Sequence, residues 1–191
     1  MPPRGTDRPG PVGPTGPAGV RRAPPKPGRD TAKFDFFFYG TLCDDDVREC
    51  VVGRACAVEA ATLDGYEAVP VERGRFPILL AQRGRVAAGV LCRGLSLTEA
   101  ARLGLYEHEG RDYTARRFPI KTSAEQLQPA WVFVPLGTLR RGPGKWDLAE
   151  WQRFAKAEFL ARVRQRIRLI EARDLDPLVE LWRGRAVQRE A

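Results

Sequence analysis

The chain has 191 residues, of which 43% are hydrophobic, and a formal net charge of +8 at pH 7. This length suits one domain with its own core and excludes two large ones. No apolar run approaches the roughly 20 residues of a membrane span, and the first residues lack the apolar core of a signal peptide. We therefore expect a cytoplasmic protein without a membrane partner.

The positive charge is concentrated at the two ends of the chain. Residues 1–33 carry a net charge of +5, residues 34–144 carry none, and residues 145–191 carry +3. Basic ends can bind polyanions loosely, but this distribution is more typical of a solubilising arm. We expect no specific nucleic-acid partner, and polyanion binding is the weakest of three functional hypotheses.

The cysteines and the single histidine, His108, show no metal-site spacing. Cysteines occur at positions 43, 50, 56 and 92 and form no Cys-x-x-Cys pair. Because the chain shows no export signal, we expect reduced thiols. The sequence predicts no metal site.

The chain divides into three parts by composition. Residues 1–33 are dominated by Pro, Gly and Arg and hold too few apolar residues to offset the entropy of ordering, which predicts a disordered arm. Residues 34–144 are predicted to form the main domain, and residues 145–191 a helical extension packed on it.

The ordered part is predicted to begin with a buried strand. The aromatic run Phe36–Tyr39 ends at Gly40, which is typical of a strand that runs into a turn. Asp44–Asp46 follow directly, and acidic residues there favour the N-terminus of a helix that begins near Asp45. We prefer this capping role to a metal site.

The remaining pattern alternates short apolar segments with turns. Strands are predicted over residues 57–63, 66–71, 76–81 and 86–91, separated by turns at Asp64-Gly65, Arg73-Gly74 and Arg83-Gly84. A helix over Leu97–Tyr106 has Ser96 as its cap, and strands over 118–121 and 130–134 follow. This spacing predicts a mainly antiparallel sheet or a small barrel.

A long helix is predicted after the Gly142-Pro143-Gly144 break. Asp147 is its cap, and its apolar stripe from Leu148 to Ile170 is expected to pack on the barrel or to form the surface of a possible homodimer. The arginines between these residues are assigned to a solvated face: Arg162, Arg164, Arg166 and Arg168. A short final helix is predicted around residues 178–182.

Three segments in order and spacing carry a family resemblance. They are Phe37-Phe38-Tyr39-Gly40-Thr41-Leu42; then Thr62-Leu63-Asp64-Gly65-Tyr66 with Gly74-Arg75-Phe76-Pro77; then Gly89-Val90-Leu91, Gly94-Leu95-Ser96 and Leu103-Gly104-Leu105-Tyr106-Glu107, ending at Tyr113. Over about residues 34–140 the chain resembles the γ-glutamylcyclotransferase-like family, including its avirulence-induced-protein type. The resemblance implies an α+β fold, a small mixed β-barrel with outer helices, here extended by a long C-terminal helix.

The resemblance also implies an intramolecular aminolysis. In that family the α-amine of a γ-glutamyl group attacks its own γ-carbonyl and releases 5-oxoproline with an amine or amino acid. No cofactor is implied, since nucleophile and electrophile share one chain and need mainly positioning and proton transfer. Glutathione, γ-glutamyl amino acids and γ-glutamylated lysine side chains all stay open as substrates.

The implied general base and acid is Glu107. Glu109 is the alternative, because Glu109-Gly110-x-x-Tyr113 fits a shorter variant of the motif, although that choice breaks the spacing back to Leu95. The family usually has Asp where this chain has Gly104, which puts a supporting hydrogen bond at the helix end in doubt. This departure keeps a non-catalytic binding module on the same fold as the alternative function.

The head-group site implied by the resemblance is the loop Tyr39, Gly40, Thr41 and Leu42. Glycine permits close approach of the main chain, and free N–H groups can hold a carboxylate or an oxyanion. An ordinary strand-to-helix turn is the alternative interpretation. Tyr113 is a further substrate-binding candidate, or else a packed tyrosine at the start of a strand.

Overall fold

The computed structural model describes residues 31–188, so the predicted arm over 1–33 lies almost entirely outside the described residues. Within the described residues, five strands and five α-helices follow one another. They are β1 (Phe34–Phe38), α1 (Asp45–Val52), β2 (Val58–Pro70), β3 (Pro77–Leu95), α2 (Leu97–Tyr106), β4 (Tyr113–Thr122), β5 (Leu127–Pro135), α3 (Leu148–Phe154), α4 (Lys156–Arg168) and α5 (Ala172–Gln188).

The strands close into a barrel in the order β1-β3-β2-β4-β5. Neighbouring strands are antiparallel, except that β1 and β5 run parallel, with Phe36 opposite Trp131. Closure removes the free sheet edges that an open sheet of this kind would expose. The predicted α+β fold with a small mixed barrel and outer helices is confirmed.

The second and third strands form one long hairpin instead of four short strands. Their pairing continues through an irregularity between Asp64 and Tyr66, so the predicted turns at Asp64-Gly65 and Arg83-Gly84 are wrong. Glycines at positive φ can bend or bulge a strand without ending it, and Gly65 has φ 78°. The turn at Arg73-Gly74 is confirmed, since it lies between β2 and β3.

Successive residues of β1 face two different cores. Phe36 and Phe38 belong to a cluster shared with the helices, whereas Phe37 packs with other strand residues such as Leu63 and Leu91. Alternation of this kind follows from the two-residue period of a strand. The unbroken aromatic run is therefore a strand that is buried on both faces.

The predicted helix caps are confirmed for the first two helices. The Asp44 side chain accepts a hydrogen bond from the N–H of Val47 at 3.2 Å, and its other oxygen lies 2.7 Å from Lys156 Nζ. Ser96 and Glu99 form a reciprocal capping box on α2. Among residues 31–188, no three His, Cys, Asp or Glu side chains are grouped as a metal ion would require.

The long C-terminal helix predicted from Asp147 is divided in two. Asp147 caps α3 as expected, but Ala155 has φ −125° and ends that helix before α4 begins. The final helix α5 is longer than predicted and docks through Trp182, which is wholly buried and 5.2 Å from the ring of Phe36. None of the helices in the described part of the chain is long and apolar enough to cross a membrane.

Candidate active site

A cavity of about 300 Å³ lies at the end of β1. Its wall combines the turn after β1, the start of β3, the end of α2, the start of β4 and one face of α4. The polar or charged lining residues are Tyr39, Thr41, Tyr106, Glu107, His108, Asp112, Tyr113, Arg162 and Arg166. The cavity therefore brings together all six site positions predicted from the sequence motifs: the four residues of the Tyr39–Leu42 loop, Glu107 and Tyr113.

The Tyr39–Leu42 loop forms one wall and presents backbone to the cavity. A Cβ atom added to Gly40 would lie 2.9 Å from Pro77 Cγ, so only glycine allows this approach of the two chain segments. The N–H groups of Gly40, Thr41 and Leu42 donate no hydrogen bond to another described residue. Unpaired N–H groups at a cavity wall can receive an anionic or carbonyl oxygen.

The side chains of this loop are held by the protein. The buried Tyr39 hydroxyl donates to the carbonyl of Phe133 at 2.8 Å, and this hydrogen bond anchors the ring. The Thr41 hydroxyl lies 3.0 Å from the hydroxyl of Tyr106. This bond joins the loop to the last residue of α2, next to Glu107.

Glu107 follows the last turn of α2 and stands in the cavity wall. Its N–H donates to the carbonyl of Leu103 at 2.9 Å, which fixes the backbone as a helix C-cap. Burial raises the pKa of the Glu107 carboxyl from 4.5 to about 8. The positive charge of Arg166 opposes this rise in pKa, and the negative charge of Glu109 adds to it.

Glu109, the alternative base, lies outside the cavity wall. Its side chain is only 2% exposed, and its Oε1 atom lies 2.6 Å from Arg185 Nη1 and accepts the N–H of Ala115 at 3.1 Å. Its Oε2 atom lies 2.9 Å from where a Cβ of Gly104 would be. A carboxylate from the following loop thus fills the space beside Gly104, the position where the family usually has Asp.

Tyr113 is packed at the start of a strand and also lines the cavity. The residue starts β4 and is only 6% exposed, as expected of a packed tyrosine. It also lines the cavity, where its hydroxyl is 3.5 Å from the carbonyl of Pro77, a long and weak hydrogen bond. Burial raises the pKa of this hydroxyl well above its ordinary value, so the group is a neutral donor at any physiological pH.

Two cavity residues close to Glu107, His108 and Asp112, were not among the site residues predicted from the sequence motifs. His108 has φ 51°, an uncommon backbone conformation for a residue with a side chain. Its Nδ1 atom lies 2.7 Å from the carboxylate of Asp112. Burial lowers the pKa of His108, and the pair fastens the loop that follows Glu107.

Helix α4 supplies a further wall of the cavity, which combines residues of the predicted apolar stripe with an arginine that was assigned to the solvated face. Phe159, Val163 and Arg166 share one helix face at spacings of four and three residues and line the cavity. The solvated-face prediction is therefore wrong for Arg166, whose Nη2 atom donates to the carbonyl of Leu105 at 2.9 Å. The spacing from Phe159 was the signal that could have revealed it.

Comparisons with known proteins agree with this fold. The family model described as gamma-glutamyl cyclotransferase, AIG2-like, matches residues 36–153. AIG2-like protein C of Arabidopsis thaliana is 24% identical over 137 residues, which cover 70% of this chain and 78% of that protein.

Two solved structures show the same fold. One is a solution structure of an Arabidopsis thaliana protein, with a TM-score of 0.55 and 19% identity, covering 74% of this chain and 86% of that one. The other is a gamma-glutamyl cyclotransferase, with a TM-score of 0.52 and 10% identity, covering 78% of this chain and 99% of that one. With the family model matching well over half of its length, this chain belongs to the gamma-glutamyl cyclotransferase, AIG2-like family.

Proposed function

We propose that this protein is a γ-glutamyl cyclotransferase that releases 5-oxoproline from a γ-glutamyl amine or amino acid. The α-amine nitrogen forms a bond to the γ-carbonyl carbon, and the bond from that carbon to the leaving nitrogen then breaks. Glu107 takes a proton from the α-ammonium, so that the free amine can attack, and then delivers it to the leaving nitrogen. The attacking nitrogen loses a second proton as the lactam forms, and the leaving amine gains it and departs as an ammonium ion. Atoms and charge balance without a cofactor.

The observation that carries the proposal is the environment of Glu107. A general acid–base catalyst works best when its pKa lies near the pH at which it operates. The pKa of about 8 that burial gives Glu107 is close to that of an α-amino group, roughly 8. An exposed glutamate with its ordinary pKa of 4.5 would be a much weaker base toward an ammonium ion.

The opposite wall supports the binding of a γ-glutamyl head group. The N–H groups of Gly40, Thr41 and Leu42 have no acceptor among the described residues, and they suit the α-carboxylate or the oxyanion that develops on the γ-carbonyl. The hydrogen bond between Thr41 and Tyr106 couples that wall to the residue next to Glu107. Positioning of this kind can lower the barrier of an intramolecular attack by several kcal/mol.

The direct test is 5-oxoproline release from a panel of γ-glutamyl compounds, with wild type, Glu107→Gln and Glu109→Gln side by side. We expect Glu107→Gln to lose at least about 10²-fold in rate while keeping its circular dichroism spectrum. Glu125→Gln is the matched control, since the side chain of Glu125 is 76% exposed, and it should retain the wild-type rate.

The other outcomes discriminate between the hypotheses. If 5-oxoproline release survives in Glu107→Gln and disappears in folded Glu109→Gln, Glu109 would be identified as the base. Binding of γ-glutamyl compounds without release of 5-oxoproline would favour the non-catalytic binding module. A wild type that neither binds nor converts these compounds would refute the proposal.

A further inference from the structure

The cavity has one wall that the family match does not include. The match ends at residue 153, whereas α4 begins at Lys156 and contributes Phe159, Arg162, Val163 and Arg166 to the cavity. This wall therefore lies beyond the segment that the family model matches. The proposed chemistry uses Glu107 and the Tyr39–Leu42 loop, which leaves the side chains of this wall available to contact the leaving group.

Arg166 is the charged group of this wall that stands next to the candidate base. Its Nη2 atom donates to the carbonyl of Leu105, two residues before Glu107. An arginine has five N–H donors, and this bond uses one of them. Among the carboxylates of residues 31–188, none lies within ion-pair distance of this guanidinium.

A partly buried cation is costly unless negative charge offsets it, and a ligand carboxylate would add to what Glu107 and Asp112 supply from beyond ion-pair distance. Burial lowers the pKa of Arg166, and the negative charges of Glu107 and Asp112 oppose this lowering. Arg162, one turn earlier, differs because its guanidinium is already paired with Glu158 at 2.6 Å. Arg166 is thus the guanidinium of this wall whose charge a ligand can complement.

We propose that Arg166 binds a carboxylate on the leaving group, so that the substrates are γ-glutamyl amino acids or peptides and not neutral γ-glutamyl amines. This inference rests on the proposed function. Glu107 must reach both the α-amine and the leaving nitrogen, and the head group faces the Tyr39–Leu42 loop. The leaving group consequently extends toward the Glu107 side of the cavity, where Arg166 stands.

The test is a comparison of binding that requires no turnover. Glutaryl-alanine and glutaryl-ethylamide mimic the two substrate classes, lack the α-amine and so cannot cyclise. Isothermal titration calorimetry with wild type should show glutaryl-alanine bound about 10- to 100-fold more tightly, the range of a charge-assisted hydrogen bond. Arg166→Met should remove this preference, and Arg166→Lys, which keeps the charge without the planar fork, should retain part of it.

Arg164→Met is the matched control, because this exposed arginine of the same helix does not line the cavity, and it should keep the wild-type preference. If Arg166→Met does not fold, Arg166→Gln replaces it, since glutamine can still donate to Leu105. Equal binding of the two ligands by wild type, no binding of either, or a preference unchanged in the folded Arg166 variants would each overturn the inference.

These results are separable from the proposed function. A protein that releases 5-oxoproline equally well from γ-glutamyl-alanine and γ-glutamyl-ethylamide would be a cyclotransferase without the Arg166 subsite. A protein that prefers glutaryl-alanine in an Arg166-dependent way but releases no 5-oxoproline would have the subsite without the activity.

Discussion

The ion pair between Glu109 and Arg185 joins the loop after α2 to the final helix. The Glu109 side chain is 2% exposed and that of Arg185 15% exposed, with 2.6 Å between Oε1 and Nη1. The guanidinium also lies over the rings of Trp182, at 4.4 Å, and Trp131, at 5.2 Å. Arg185→Met would keep much of the apolar stem while removing the charge.

The expected cost follows from what the substitution leaves behind. A buried Glu109 carboxylate would keep the hydrogen bond from the N–H of Ala115 but lose its counter-ion. Removing one partner of a buried ion pair typically costs about 3–5 kcal/mol, because an uncompensated charge stays buried. Adding Glu109→Gln removes that charge, so the double variant should be more stable than the sum of the two single effects by about 1–3 kcal/mol.

The assay is equilibrium urea denaturation at pH 7, followed by tryptophan fluorescence, which reports on Trp182 and Trp131 directly. Arg173→Met is the control on the same helix, since its pair with Glu171 is exposed (78% and 61%) and should contribute about 0.5 kcal/mol or less. The reasoning is refuted if Arg185→Met costs no more than Arg173→Met, or if the double variant shows simple additivity.

Two further predictions concern pH and packing. The folded pKa of about 8 for Glu107 lies above its ordinary value of 4.5, so its contribution to stability is fully present below about pH 4.5 and is lost as pH rises through 8. The free energy of unfolding of Glu107→Gln should therefore increase relative to that of wild type from pH 5 to pH 8. A difference between the two proteins that does not change with pH in urea titrations would contradict this. Gly89→Ala should destabilise by about 1–3 kcal/mol, because its Cβ would lie 2.0 Å from the carbonyl oxygen of Phe38. Thermal melts measure this effect beside that of Gly184→Ala, a substitution at an open helical position that should stabilise slightly. Equal effects of the two alanine substitutions would argue against the close contact between residue 89 and the carbonyl of Phe38.

Elements whose signals are local could be predicted from the sequence. The caps Asp44, Ser96 and Asp147 each accept a backbone N–H three residues on, and that chemistry depends on only four consecutive residues. The aromatic strand before Gly40 was likewise predicted from its composition. The motif order then indicated the family, which the family model confirms.

Elements that depend on pairing between strands could not be predicted from the local sequence. Asp64-Gly65 and Arg83-Gly84 have turn chemistry, yet both lie within strands because β2 and β3 pair on either side of them. A local turn preference of a few tenths of a kcal/mol is overridden by a ladder of this length. The break between α3 and α4 at Ala155 could not be predicted either, because no Gly or Pro stands there.

The sequence by itself determined the family, the barrel and the candidate positions Tyr39–Leu42, Glu107 and Tyr113. Only the tertiary structure decided how the two glutamates differ, since Glu107 faces the cavity and Glu109 pairs with Arg185, 76 residues later in the chain. It also placed Arg166, which was predicted to lie on a solvated face, in the wall of the cavity. The physical reason is that burial and charge pairing, which set the ionisation of a carboxylate, depend on neighbours in space and not on neighbours in the chain.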